Sequence, residues 1–457
     1  MIFNQFEFIF LFMPVVLALF FVPLLRGVRR EILLLASLFF YGVSGLEHLF
    51  MLASGMCWIY VWTRSDKIVA NGIRLTVAIA PPALALFYYK YTTFFIRDVL
   101  GLSQHDLPQA FDLFHNVVLP AGISFFTFEL ISYAIDRYRG EIKAPVPFRT
   151  FALFISFFPH LVAGPILRFH QMAKPIAALR EFRLQRSEAT RAVGYIILGL
   201  AAKVLLADTL NTYLKPFVRS PGDLDIASSL YVLFGYSFQI YFDFYGYSLI
   251  ALGLALLFGF VFPTNFLRPY GALNPRDFWR RWHVTLSSWL RDYLYIPLGG
   301  NQRYRRNILI VFAACGLWHG AGWTFIVWGL YHAVLIIGYI AMRPMWDRVP
   351  AILQIAVTFI LVSLGWSLFQ FDFAHASLFF ASLAGLGTGA VPPPTLEMWL
   401  AVAAGFAITY GLHIEAVVDR IDRGLGSAIS YGIQLALLAS LVLMFIDRSE
   451  GFIYFRF

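Results

Sequence analysis

Cysteine is almost missing from this chain: there are two in 457 residues, Cys57 and Cys315. Both stand in apolar stretches, so neither a disulfide framework nor a thiolate metal site is indicated. Charge is scarce as well. Asp, Glu, Lys and Arg make up 13% of the residues, where soluble domains carry about 25%. A soluble globular class is excluded on that ground, and no nucleic-acid partner is expected. Several catalytic signatures are also absent. The chain has no G-x-S-x-G elbow, no H-x-x-x-H pair and no phosphate-binding Walker loop, which removes the serine hydrolase, zinc protease and P-loop readings. No metal and no permanently bound cofactor is expected. The first apolar run starts at Phe6 without a basic segment before it or a small-residue cleavage site after it. It reads as a retained helix.

What the chain has is apolar length. Hydrophobic residues reach 60% and mean hydropathy is +0.71, which predicts an all-α polytopic membrane protein. Apolar runs recur from residues 6–25 to 430–446. Some fall short of the roughly 20 residues that a perpendicular span requires. The expectation is about 11 transmembrane helices, with re-entrant and interfacial helices around a central tunnel, all within one transmembrane domain over residues 1–457. Residues 150–167 are apolar but interrupted by Pro159, Gly164 and Pro165. Broken backbone at that depth is tolerated only inside protein or along a wet cavity. Arg26, Arg29 and Arg30 follow the first run, which predicts a cytoplasmic loop there and an N-terminus outside. Residues 168–191 carry six basic residues against Glu181 and Glu188, and residues 268–306 carry eight arginines against Asp277 and Asp292. Both stretches are expected in the cytoplasm, where they would also suit a polyanionic ligand.

Three features stand out against that background. Ile308–Ile340 contains no Lys, Arg, Asp or Glu, yet holds His319. A titratable side chain at membrane depth is a functional hypothesis by default. Gly316, Gly320 and Gly322 clear space around it, and Trp318 and Trp323 are expected as walls. A structural alternative, one hydrogen bond across a helix interface, is open to the same residue. The second feature is Arg276–Tyr293, which reads as one two-faced helix of about 27 Å. Arg276, Arg280, His283, Ser287 and Arg291 share one side; Phe278, Trp282, Leu286, Trp289 and Tyr293 share another. Its arginines place it at the cytoplasmic interface or along a solvated cavity. The third is Asp243, the one charge between Tyr231 and Phe262. It requires a buried partner, and Arg, His or a hydroxyl is expected. Cys315 lies one turn before His319 and reads more readily as a small hydrophobe than as a thiol nucleophile.

The residues fall into ordered blocks. They are Gly122-Ile-Ser-Phe-Phe-Thr-Phe-Glu129 with Tyr133, Asp136 and Tyr138-Arg-Gly140, then Phe158-Pro-His-Leu-Val-Ala-Gly-Pro-Ile-Leu-Arg168, then Tyr241-Phe-Asp-Phe-Tyr-Gly-Tyr-Ser248 with Asn265 and Arg268-Pro-Tyr270. Phe278-Trp-Arg-Arg-Trp-His283 and Trp289-Leu-Arg-Asp-Tyr-Leu-Tyr-Ile-Pro-Leu-Gly-Gly-Asn301 follow, then Gly316-Leu-Trp-His-Gly-Ala321, and last Gly365-Trp366 with Phe369. Together they resemble the membrane-bound O-acyltransferase family, in its bacterial alginate O-acetyltransferase-like branch, over about residues 1–375. Two departures are visible. Leu249 stands where the family usually has an acidic residue, and the C-terminal helices of 385–457 are less typical.

The resemblance implies an O-acyltransferase of the bacterial inner membrane. Acetyl-CoA would load from the cytoplasm, and the acetyl group would serve O-acetylation of an exopolysaccharide such as alginate. A periplasmic acetyltransferase and polysaccharide synthesis proteins are the implied partners, besides membrane lipids. His319 is then the expected general base or transient acyl carrier, and His283 a second catalytic residue on the cytoplasmic side. Arg280, Arg281 and Arg291 are expected at the donor's phosphates, with Trp282, Trp318, Asn265 and Asp243 in the same site. Acylation of another glycan, a lipid or a protein is an alternative within the class. A proton-coupled transporter is an alternative outside it, against which stands the absence of an inverted repeat between the halves.

Overall fold

The computed structural model describes residues 2–102, 118–143, 145–412, 417–418, 425–446 and 451–453. Parts of the less typical C-terminal region, residues 413–416, 419–424, 447–450 and 454–457, lie outside the described residues. Helices make the whole architecture; no strand occurs among the described residues. The chain forms two compact units: Met1–Ala192 with Ala251–Pro263, and Val193–Ile250 with Thr264–Phe457.

The first unit begins with α1 (Glu7–Phe21) and α2 (Pro23–Gly42), bent by 96°. Pro23 causes the bend, because the ring pushes the preceding residue out of helical conformation, and Val22 has φ −58° and ψ 121°. Helices α3 (Leu46–Thr63), α4 (Gly72–Val99) and α5 (Ile123–Tyr138) follow. Next come α6 (Phe148–Ser156), the four-residue α7 (Phe158–Leu161) and α8 (Phe169–Ala178). Residues 151–169 are buried without exception, so the broken backbone around Pro159 is enclosed in protein, as lipid requires. The amide of Phe158 donates to Ser37 Oγ on α2 at 3.1 Å, which satisfies one of the groups freed by the break.

The second unit contains most of α9 (Arg186–Arg219) and of α10 (Ile226–Leu257). Then come α11 (Pro275–Arg281), α12 (Val284–Leu290), α13 (Tyr304–His319), α14 (Trp323–Trp346) and α15 (Ala351–Gln370). Helices α16 (Phe373–Leu383), α17 (Leu396–Gly411) and α18 (Leu425–Phe445) end the described chain. Among the described residues, five helices, α4, α9, α10, α14 and α15, are long and apolar enough to cross a membrane, or six spans if the bent α1–α2 pair counts as one. Shorter apolar helices of 10–17 residues, α16 and α17 among them, occur besides. The protein is a multi-pass membrane protein.

Helices α13 and α14 form a hairpin with almost no side-chain layer between them. A Cβ on Gly316 would stand 2.0 Å from the Phe325 carbonyl oxygen, and one on Gly329 would stand 2.0 Å from that of Phe312. Only glycine permits this approach, the small-residue packing that membranes favour.

Candidate active site

Arg276–Tyr293 is not the continuous helix that its pattern predicts. It is α11, a break at Trp282–His283, then α12 and a π-helical turn Arg291–Tyr295. The cause lies at Asn265. Its backbone carbonyl accepts the Val284 amide at 3.0 Å, and its Oδ1 accepts the Thr285 hydroxyl at 2.6 Å. Its Nδ2 donates to Ser248 on α10 at 3.4 Å. Held this way, His283 takes a left-handed backbone with φ +43°, an uncommon state for a residue other than glycine. Asn265, expected against the donor, therefore serves here to shape the turn that carries His283.

The break leaves most of the arginine face in register. Arg276, Arg280, Ser287 and Arg291 line one cavity of about 240 Å³. His283 departs from that face and turns inward, fully buried. Arg281 is not among the lining residues; its Nε donates to Asp277 at 3.0 Å. Trp279, Phe312 and Cys315 line the same cavity, the first two rings packed edge to face with centroids 4.9 Å apart. Tyr295 and Tyr304 stand near the arginines. Burial raises the pKa of both phenols against the opposing pull of Arg276, so at neutral pH they meet a ligand as neutral hydroxyls.

His319 ends α13, one turn beyond Cys315 and about 6 Å deeper by helical rise. It is buried among Trp318, Trp328 and Phe369, whose ring centroids lie 4.9, 5.2 and 5.5 Å away. Trp323, expected as a wall, is instead 47% exposed; it opens α14 and points away from the packed core. The His283 and His319 centroids are 6.4 Å apart. At that separation the two rings are neighbours that do not hydrogen-bond each other directly. Trp282 lies behind His283, packed on Trp366 at 4.9 Å and Phe266 at 5.0 Å. It is wall material, as is Trp318.

Asp243 has the structural partner that its burial demands, but the partner is a lysine rather than an arginine, histidine or hydroxyl. Lys203, in a π-helical segment Ala202–Ala207 of α9, donates to Asp243 Oδ1 and Asp208 Oδ1, both at 2.6 Å. Asp243 Oδ2 also accepts the amide of Ile453 at 2.9 Å, so the C-terminal segment 451–453 is seated on this network. The uncharged run that holds His319 contains a second histidine, which its pattern alone does not single out. His332 is fully buried beside Trp328 at 5.0 Å, and neither ring nitrogen has a hydrogen-bond partner among the described residues. Such nitrogens commonly take up a buried water. In the first unit, His160 Nδ1 lies 3.1 Å from Glu129 Oε1, and the same oxygen accepts the Leu167 amide at 3.0 Å. The pair sits at ion-pair distance without hydrogen-bond alignment.

Comparison with known proteins bears on all of these residues from Arg168 to Phe369. Residues 138–371 match the model of MBOAT, the membrane-bound O-acyltransferase family. The chain is 37% identical over 398 residues to a protein of Pseudomonas syringae described as "Probable alginate O-acetylase", covering 82% of this chain and 74% of that one. It is 34% identical over 413 residues to the peptidoglycan O-acetyltransferase of Helicobacter pylori, covering 81% and 77%. A teichoic acid D-alanyltransferase of Bacillus subtilis is 30% identical over 276 residues, covering 56% of this chain and 70% of that protein.

Proposed function

Because this chain belongs to the membrane-bound O-acyltransferase family, we propose that it takes an acetyl group from cytoplasmic acetyl-CoA for O-acetylation of an extracytoplasmic polysaccharide such as alginate. It is an O-acyltransferase; the donor, the acceptor and the sidedness are the proposal. The bacterial inner membrane is its site, the shorter apolar helices complete a bundle of about 11 spans, and a periplasmic acetyltransferase receives the group.

The observation that carries this reading is the cavity that begins at three arginines and ends one helical turn from a buried histidine. Guanidinium forks match phosphate oxygens in pairs, so Arg276, Arg280 and Arg291 hold the phosphates of the coenzyme. The thioester arm runs past the packed Trp279 and Phe312 rings toward Cys315. His319 then withdraws the proton of the attacking hydroxyl as its oxygen bonds to the thioester carbonyl carbon. The carbon–sulfur bond breaks, and the proton passes to the departing thiolate. In a second route through the same site, the His319 imidazole itself accepts the acetyl group and passes it on. His283, beside His319, orients the acetyl group for transfer, and Trp282 and Trp318 exclude water. Positioned proton transfer of this kind contributes about 10²–10⁴-fold in rate.

His319→Ala, reconstituted in vesicles with labelled acetyl-CoA, is the test. Transfer should fall by at least about 100-fold, with unfolding temperature and coenzyme binding unchanged. Half of the wild-type transfer in a folded variant would leave His319 a packing residue. The Helicobacter pylori relative, matched over 77% of its length, favours peptidoglycan as the second acceptor class. Analysis of the acetylated product in cells with and without the gene separates the two.

A further inference from the structure

A second basic cavity lies wholly within the first unit and shares no residue with the candidate active site. It measures about 590 Å³ and is lined by Arg26, Arg29, Arg30 and Arg180 against one carboxylate, Glu31. That carboxylate is already engaged: its Oε1 lies 2.7 Å from Arg30 Nη2 and 3.3 Å from Arg149 Nη1. Arg29 is 3% exposed. Its Nε donates to the Phe20 carbonyl, and its Nη1 to those of Leu179 and Phe182. These bonds fix the guanidinium plane and tie α2 to the end of α8. Its Nη2 donates to no described residue. Arg26 and Arg180 are exposed and have no ion-pair partner among the described residues. Four like charges around one occupied carboxylate repel each other, and a bound anion relieves that repulsion.

The surroundings say which anion. Ile142, Val146, Phe169 and Ile176 form apolar walls. On the Pro23–Val28 turn that carries Arg26, Leu24 is 95% exposed and Val28 is also exposed. In a chain that spans a membrane, exposed apolar side chains beside arginines mark the boundary between headgroups and acyl chains. A soluble phosphate compound would meet the guanidiniums and leave the apolar rim unmatched. A phospholipid satisfies both. We propose that this cavity binds the phosphate headgroup of an anionic phospholipid, with acyl chains along the Leu24 and Val28 rim. This goes beyond acyl transfer and does not depend on it.

The test is lipid retention by the purified full chain, read by native mass spectrometry after exposure to vesicles of phosphatidylglycerol or of phosphatidylcholine. The wild-type protein should hold phosphatidylglycerol in preference to phosphatidylcholine. Arg26→Gln with Arg180→Gln should weaken that binding about 30-fold, since each surface arginine is worth about fivefold. The charge-matched control Arg303→Gln with Arg305→Gln should change it less than about twofold. Arg26→Lys with Arg180→Lys should retain most of the binding, which separates electrostatics from misfolding. Unchanged binding in the Gln pair, equal retention of both lipids, or an equal effect of the control pair overturns the proposal. Displacement of bound phosphatidylglycerol by inorganic phosphate overturns it too, because the ligand would then be a soluble anion.

Discussion

Replacing Lys203 by Met removes the cation that two buried carboxylates share. Two carboxylates, Asp208 and Asp243, share its ammonium at 2.6 Å each, and all three residues are buried. Met preserves most of the side-chain volume, so the perturbation is electrical rather than a cavity. Removing one partner of a buried ion pair costs about 3–5 kcal/mol, because the charge left behind has lost both water and its counter-ion. Here two charges are left, and the upper part of that range applies. Unfolding of the detergent-solubilised protein should show a loss of about 4 kcal/mol, close to a thousandfold in the folding equilibrium. The rescue is the informative arm. Adding Asp208→Asn and Asp243→Asn to Lys203→Met removes the orphaned charges and should recover more than half of the loss, since neutralised buried networks are often tolerated. The same measurement reads the C-terminal segment, because Ile453 donates to Asp243 Oδ2. Limited proteolysis should release that segment faster in Lys203→Met than in wild type. A loss below about 1 kcal/mol in Lys203→Met, or a triple variant no more stable than the single one, would refute the account of this network as a paired buried charge.

Arg276→Gln with Arg280→Gln should raise the KM for acetyl-CoA by roughly ten- to a hundredfold and flatten its salt dependence, with kcat largely kept, as expected when binding common to ground and transition state is removed; unchanged donor kinetics in folded protein would end the phosphate role. Gly316→Ala should destabilise the α13–α14 hairpin and lower transfer, because the new Cβ would stand 2.0 Å from a backbone oxygen that has no flexible end to yield; thermal unfolding at wild-type temperature would contradict the backbone contact. Single cysteines at Gln185 and Gln302, in a background lacking Cys57 and Cys315, should resist an impermeant thiol reagent in intact cells; ready labelling at either would reverse the orientation.

Sequence patterning exposed those parts of the site that stand out chemically from their neighbours. His319 is visible because nothing charged surrounds it, and Asp243 because a lone carboxylate in an apolar run requires a partner. The arginine face was legible as a period, and four of its five residues line one cavity. The fifth, His283, departs because a left-handed residue resets the helix phase. The residue responsible, Asn265, is eighteen positions upstream, where no local rule connects it to the turn. Lys203 was illegible for the opposite reason. It lies forty residues from Asp243 inside an apolar stretch beyond the basic segment, and the π-helical segment that aims it inward leaves no mark on composition. His332 carries the same signal as His319, a histidine in an uncharged run, without the glycines that directly follow His319. The bend at Pro23 and the break at Pro159 follow from proline chemistry, whereas the division into two units depends on contacts between residues far apart in sequence.

Where two backbones touch, there is nothing compressible between them. Phe312 and Phe325 place carbonyl oxygens in the space that side chains would fill at Gly329 and Gly316, so α13 and α14 pack as a single rigid wedge. Sliding one helix along the other would drive oxygen into carbon, and this region therefore lacks the loose interface on which slow helix-shift gates depend. Passage to His319 is left to the buried side chains that rim it, Trp318, Trp328 and Phe369. In mechanical terms the hairpin is the anvil, and the aromatic ring positions set the width of the gap above it.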